Sequence, residues 1–154
     1  MKKVVLLISV VLAGFTKLNA QLNINTFNDL DSLLNNEDRL TVVFIHTDWC
    51  KFCHQMESTT FTNYSISNIL NEDFYFVKLN AEQEEDIIYQ ENTFKFVPNG
   101  SSGGIHQMAT LLGEIDGSIS YPTLTIINSS NEIIFQNAGL MTKEELLAVL
   151  NELK

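Results

Sequence analysis

The chain has 154 residues, enough for one domain with a real core and too few for two of ordinary size. With 45% hydrophobic and 18% charged residues it is composed like a folded globular protein, which excludes a disordered one. Nineteen acidic against nine basic side chains give a net charge of −10, a balance that repels phosphate backbones and excludes nucleic acid as a natural partner.

The first twenty residues read as a secretory signal peptide. Met1-Lys2-Lys3 is a short basic start, Val4 to Phe15 is an apolar run, and Leu18-Asn19-Ala20 ends on a small residue, which places the cut between Ala20 and Gln21. The alternative, a retained membrane anchor, needs roughly 20 apolar residues, and the run has about a dozen. No stable membrane insertion is therefore expected after cleavage, and residues 21–154 form the single domain. Losing Lys2, Lys3 and Lys17 leaves six basic residues against nineteen acidic, a net charge of −13. The expected location is secreted or periplasmic.

Along the mature chain, Phe27, Leu30, Leu33 and Leu34 have helical spacing within Thr26 to Asn35, with Thr26 or Asn25 as cap. The β-branched and aromatic run from Arg39 to His46 (RLTVVFIH) predicts a buried strand. Lys51 to Thr59 has no Gly or Pro to stop a helix, and Ser65 to Asn71 continues it after a bend near Asn63. Phe74 to Leu79 (FYFVKL) predicts a second strand, and Ile87 to Tyr89 with Thr93 to Val97 a hairpin. Residues 98 to 104 (PNGSSGG) are a loop signal, after which Ile105 to Leu112 reads as a short helix ended by Gly113. Thr123 to Asn128 and Glu132 to Gln136 form a hairpin about Ser129-Ser130-Asn131. Thr142 to Leu153 closes the chain as a helix, with Thr142 and Glu145 at capping-box spacing. This order implies an α/β fold with a mixed sheet and helices on both faces. The aromatics Phe74, Tyr75, Phe76, Phe94 and Phe96 alternate at strand spacing and are expected in packing.

Both cysteines of the chain lie in TDWCKFCHQM, residues 47–56. A structural bridge there would close a loop of four residues, contributing only about 2 kcal/mol before strain, so the pair is read as functional. With Cys50 at the start of a helix, unpaired N–H groups and the helix dipole favour its thiolate, which makes it the attacking sulfur. Cys53 lies one turn on along the same face, placed to resolve a mixed disulfide. Two other chemistries fit the same residues. In C-x-x-C-H, haem would be attached at Cys50 and Cys53, with His54 as one axial ligand and Met108 or Met141 as the other. A soft cation such as Cu(I) would take Cys50, Cys53 and His46 or His54. His106, on the short helix after the glycine loop, is expected at an ordinary polar position.

Trp49 before Cys50, the strand VVFIH leading into the motif, and Tyr121-Pro122 before the strand TLTII together resemble the thioredoxin-fold family over roughly residues 39–154. The phrase DWCKFCHQMESTTF followed by FYFVKL is closer to secreted thioredoxin-like proteins, and to the C-terminal domain of the transmembrane thiol–disulfide reductase, than to cytosolic thioredoxin. The resemblance implies a thioredoxin-like α/β fold with an insertion, about Asn80 to Ser120, before a cis-proline strand. It implies a thiol–disulfide oxidoreductase with a redox-active Cys50–Cys53 pair and with Trp49, Tyr121 and Pro122 as the docking surface for a partner's cysteine segment. No dissociable cofactor is implied, because the dithiol itself carries two electrons. The implied partners are cysteine-containing proteins and a membrane thiol reductase that recharges the pair. Three departures stand out. Lys51-Phe52 replaces the family's usual Gly-Pro. Phe44 stands where the family has a buried aspartate, six positions before the first cysteine. Glu57, four residues beyond Cys53, is the candidate replacement as proton shuttle.

Overall fold

A computed structural model describes residues 21–100 and 103–154; the signal-peptide reading of residues 1–20 lies outside the described residues. The central sheet has four strands: β1 (Leu40–His46), β2 (Phe74–Asn80), β9 (Thr123–Ile127) and β10 (Ile133–Ala138), in the order β10-β9-β1-β2. β1 runs parallel to β2 and antiparallel to β9, and β9–β10 is an antiparallel hairpin, so the sheet is mixed. Asn25 extends the β2 edge through a bridge to Val77.

The hydrophobic run in β1 has a simple cause: the strand is covered on both faces. Val42 and Phe44 face a cluster that contains Cys50, Cys53, Phe61 and the inner faces of α3 (Tyr64–Asp73) and α5 (Lys143–Leu153). Val43 and Ile45 face the opposite cluster, with α1 (Phe27–Asn36) and α4 (Gln107–Gly113). The helix ends follow their caps. The Thr142 hydroxyl accepts the N–H of Glu145 at 3.3 Å while the Glu145 carboxylate accepts the N–H of Thr142 at 2.8 Å, the reciprocal box the spacing predicts. Asn63 caps α3 through the N–H groups of Ser65 and Ile66.

Two regions differ from the sequence reading. The cysteine helix runs as α2 only over Lys51–Gln55 and then widens into a π-helical turn, Met56–Thr60. The insertion holds three short ladders. β3 (Ile87–Tyr89) pairs with β4 (Asn92–Phe94), but Phe96 to Val97 leaves the expected hairpin. It joins β5 (Phe96–Pro98), which pairs with β6 (Gly104–His106). β7 (Glu114–Ile115) and β8 (Ser118–Ile119) form a hairpin that was not expected. Helix α4 therefore starts at Gln107, after a strand, and ends at Gly113 as its pattern predicts. Gly104 is required where it stands, because a Cβ there would run into the Phe96 ring and the Val97 carbonyl.

His106 is not an ordinary polar position. It is fully buried and caps α4, its Nδ1 accepting the Met108 N–H at 3.2 Å. Its Nε2 is buried with no hydrogen-bond partner. Burial pushes the His106 imidazole below its ordinary pKa; the Glu85 and Phe94 backbones pull the other way without satisfying Nε2 by geometry. Burial, then the Lys78 charge, does the same to His46. Both histidines fold neutral, so below about pH 6.5 the unfolded chain binds more protons than the folded one. Their contribution is complete above that pH and is lost as pH falls towards the lowered folded values. Urea unfolding at pH 8, 6.5 and 5 should show falling stability, with at most about 1.4 kcal/mol per pH unit from each group. His106→Asn, which keeps a capping acceptor and removes the titrating ring, should flatten the pH dependence; an unchanged slope would assign it elsewhere.

Candidate redox site

β1 ends at His46 and delivers the chain through Thr47, Asp48 and Trp49 to Cys50, the N-cap of α2. The loop is pinned at both ends. The Cys50 N–H donates to the Thr47 carbonyl at 3.2 Å, and the ring Nε2 of His54 lies 2.8 Å from the Asp48 carbonyl. Cys50 and Cys53 form a disulfide with S–S 2.07 Å, and Cys50 Sγ accepts the Cys53 N–H at 3.1 Å. A sulfur at a helix cap with a backbone donor aimed at it is set up to carry negative charge once reduced. Cys50 is 4% exposed and Cys53 1%, so the first cysteine is the more reachable.

Two large apolar side chains next to the cysteines stand in solvent. Trp49 is 65% and Phe52 60% exposed, so both flank the motif with apolar surface open to solvent. The Trp49 ring meets Tyr121 edge-on, with centroids 5.9 Å apart. Tyr121 precedes Pro122 through a cis peptide bond, and Gly139 N–H donates to the Pro122 carbonyl at 2.7 Å. Burial, and after it the charge of Glu82, raises the Tyr121 phenol above its ordinary value.

Glu57 opens the π-helical turn. Its carboxylate pairs with Lys78 Nζ at 2.6 Å and lies 3.6 Å from His54 Nδ1. Lys78 sits directly across the β1–β2 ladder from Phe44. The ion pair and Phe44 line a cavity of about 620 Å³, walled also by Leu22, Ile24 and Phe61. His46, two residues on along the same face, stacks on Phe44 with centroids 5.8 Å apart.

These positions can be matched to known proteins. A family model described as a thioredoxin-like domain matches residues 26–154. The chain belongs to the thioredoxin-like family. Membership begins at Thr26, so it takes in α1 as well as the segment from residue 39 that carried the sequence resemblance. Solved structures agree in fold. A thioredoxin from Thermus thermophilus superposes with TM-score 0.59 at 16% identity, covering 85% of each chain. A DsbH oxidoreductase superposes with TM-score 0.56 at 10% identity, covering 87% of each. Among curated proteins, human spermatogenesis-associated protein 20 is 40% identical over 55 residues; the matched stretch is 36% of this chain and 7% of that protein.

Within the thioredoxin-like fold, the structure brings Cys50, Cys53, Trp49, Tyr121 and Pro122 towards one end of the sheet. Glu57 goes to Lys78, a residue that sequence reading passed over although a lone lysine in the apolar strand FYFVKL was a signal. Glu82, hydrogen-bonded to Trp49, was missed because nothing local marks it. Of the methionines of the haem reading, Met108 is buried in the cluster on the opposite sheet face from the cysteines, whereas Met141 shares the cysteines' cluster, with its N–H on Met56 Sδ. No group of three or more His, Cys, Asp or Glu side chains suited to a metal occurs among the described residues.

Because Trp49 is largely exposed, its removal should cost under about 1 kcal/mol of folding stability, far from the 3–5 kcal/mol typical of a buried Trp. Urea unfolding of Trp49→Ala against wild type measures this, and a loss above about 2 kcal/mol would make Trp49 a packing residue first.

Proposed function

We propose that this chain is a thiol–disulfide oxidoreductase of a secreted or periplasmic compartment, with Cys50 as nucleophile and Cys53 as resolving thiol. The observation that supports this best is the Cys50–Cys53 disulfide at a helix cap, within a thioredoxin-like fold and accompanied by a cis Tyr121–Pro122 bond and an exposed Trp49.

In the reducing direction, the Cys50 thiolate attacks a partner disulfide and forms a mixed disulfide, and one partner sulfur leaves as a thiolate. The Cys53 thiolate then attacks Cys50 Sγ, the second partner sulfur leaves, and the Cys50–Cys53 bond closes. Two electrons pass to the partner, and the reverse sequence passes them back. Trp49, Tyr121 and Pro122 seat the partner's cysteine segment. Glu57, held by Lys78, accepts the Cys53 proton in place of the aspartate that Phe44 displaces. Partners are cysteine-containing proteins, and a membrane thiol reductase recharges the dithiol. The basic and apolar start of the chain supports the location.

Equilibration of the mature protein against glutathione or dithiothreitol tests the reading, with the chain's single tryptophan, Trp49, as fluorescent reporter beside Cys50. A potential near about −270 mV marks a reductant and one near about −120 mV an oxidant. No exchangeable disulfide would defeat the proposal. Cys53→Ser should trap mixed disulfides that run as dithiothreitol-sensitive adducts, whereas Cys50→Ser should abolish exchange; retention of full activity by Cys50→Ser would refute the mechanism.

The proton role of Glu57 is tested apart from this. Glu57→Gln should slow resolution by at least about tenfold and alter its pH profile. A slower rate with the wild-type profile would leave Glu57 only a structural partner of Lys78.

A further inference from the structure

Building on the redox reading, we propose that the site prefers a cysteine segment bearing a lysine or arginine beside its sulfur, seated between the Trp49 ring and the Glu82 carboxylate. Trp49 Nε1 donates to both Glu82 oxygens, each at 3.1 Å, which fixes the carboxylate at the edge of an indole that is 65% exposed. An open aromatic face with a carboxylate at its rim offers the two contacts a cation uses. The ring quadrupole attracts it, and the oxygens accept its N–H groups through lone pairs the indole leaves free.

The neutral indole donor does not cancel the Glu82 charge. A second carboxylate is held on the same side. Asn80 accepts the Glu82 N–H at 3.0 Å and donates its amide to Asp48 Oδ1 at 3.2 Å, tying both acids to the end of β2. Neither Asp48 nor Glu82 has a cationic partner among the described residues, whereas Glu57 is paired with Lys78 and Asp86 with Lys95. Glu84 and Glu85, next along the chain, are likewise without an ion pair among the described residues, so unpaired acid continues from Glu82 along this edge. The nearest cation in sequence is Lys51, exposed on α2. It sets a direction: a basic residue is attracted on the Trp49 side and repelled on the helix side. The strongly acidic mature chain adds long-range steering of basic partners.

The test supplies reduced mature protein with three symmetrical peptide disulfides that differ only in the residue beside cysteine: Arg, Ala or Glu. The two electrons of the dithiol convert each dimer into two peptide thiols, and thiol release gives the rate. The Arg peptide should react about fivefold faster than the Ala peptide and at least about tenfold faster than the Glu peptide at low ionic strength, with the spread collapsing at about 0.5 M salt. Glu82→Gln keeps an acceptor for Trp49 and removes only the charge, so it should shrink the Arg-to-Glu ratio at least about threefold. Rates within twofold for all three peptides, or an Arg-to-Glu ratio untouched by Glu82→Gln, would overturn the preference while leaving the redox activity in place. No exchange with any of the three would overturn the redox activity and the preference together.

Discussion

Strand β1 is buried on both faces, and the position of the cysteines depends on it. Val42 and Phe44 lie in one apolar cluster and Val43 and Ile45 in the other, all four without measurable exposure. A strand locked this way cannot slip by one residue without sending its side chains to the wrong face. Its parallel register with β2 runs unbroken from Leu40 opposite Phe74 to His46 opposite Asn80. The chain therefore leaves the sheet at a fixed point, and four residues later Cys50 caps the helix. On the other side, the antiparallel pairing of β1 with β9 sets Ile45 opposite Thr123, the residue after Pro122. One strand thus positions both the disulfide and the cis-proline segment. The cap that carries Cys50 and the segment that carries Pro122 both take their position from β1.

What could be read from sequence follows from the same physics. RLTVVFIH and TLTII are β-branched runs whose burial overrides any local preference, and FYFVKL has the aromatic character of a covered strand; all three appear as strands within a residue or two at their ends. The cysteine pair, Trp49 and Tyr121-Pro122 were legible because their chemistry lies in adjacent residues. The insertion was harder, because its ladders of two or three residues depend on partners rather than on their own pattern. Yet Asp116-Gly117, both with positive φ, is a two-residue hairpin signal that marks β7–β8, and it was passed over. Glu82 carries no such local mark. It matters only because Asn80 folds it back towards Trp49, a contact 33 residues apart in sequence.

Phe44 stands where the family resemblance implies a buried aspartate. An aspartate on β1 would bring a charge into the cluster that holds the cysteines, at a desolvation cost; phenylalanine fills that place with ring contacts to Phe61 at 4.9 Å. A charged pair lies close to this position. The π-helical turn at Met56–Thr60 widens the helix where Glu57 leaves it, and the carboxylate meets Lys78, the direct cross-strand neighbour of Phe44. The Glu57 carboxylate thus lies beside the register of Phe44, partly solvated at the lip of a cavity.

The insertion, for its part, is connected to the site by backbone. His46, at the end of β1, accepts the N–H of Ala81 at 2.8 Å, and the Ala81 carbonyl accepts the N–H of His106 at 2.8 Å. Ala81 immediately precedes Glu82. His106 is the residue that ends β6, caps α4 and lies fully buried, so the segment presenting Glu82 to Trp49 is held by backbone hydrogen bonds between β1 and this buried cap. A carboxylate beside an exposed indole would otherwise turn towards water, where its solvation is best. Held by Asn80, by the indole and by this backbone pairing, it stays at the edge of the Trp49 ring.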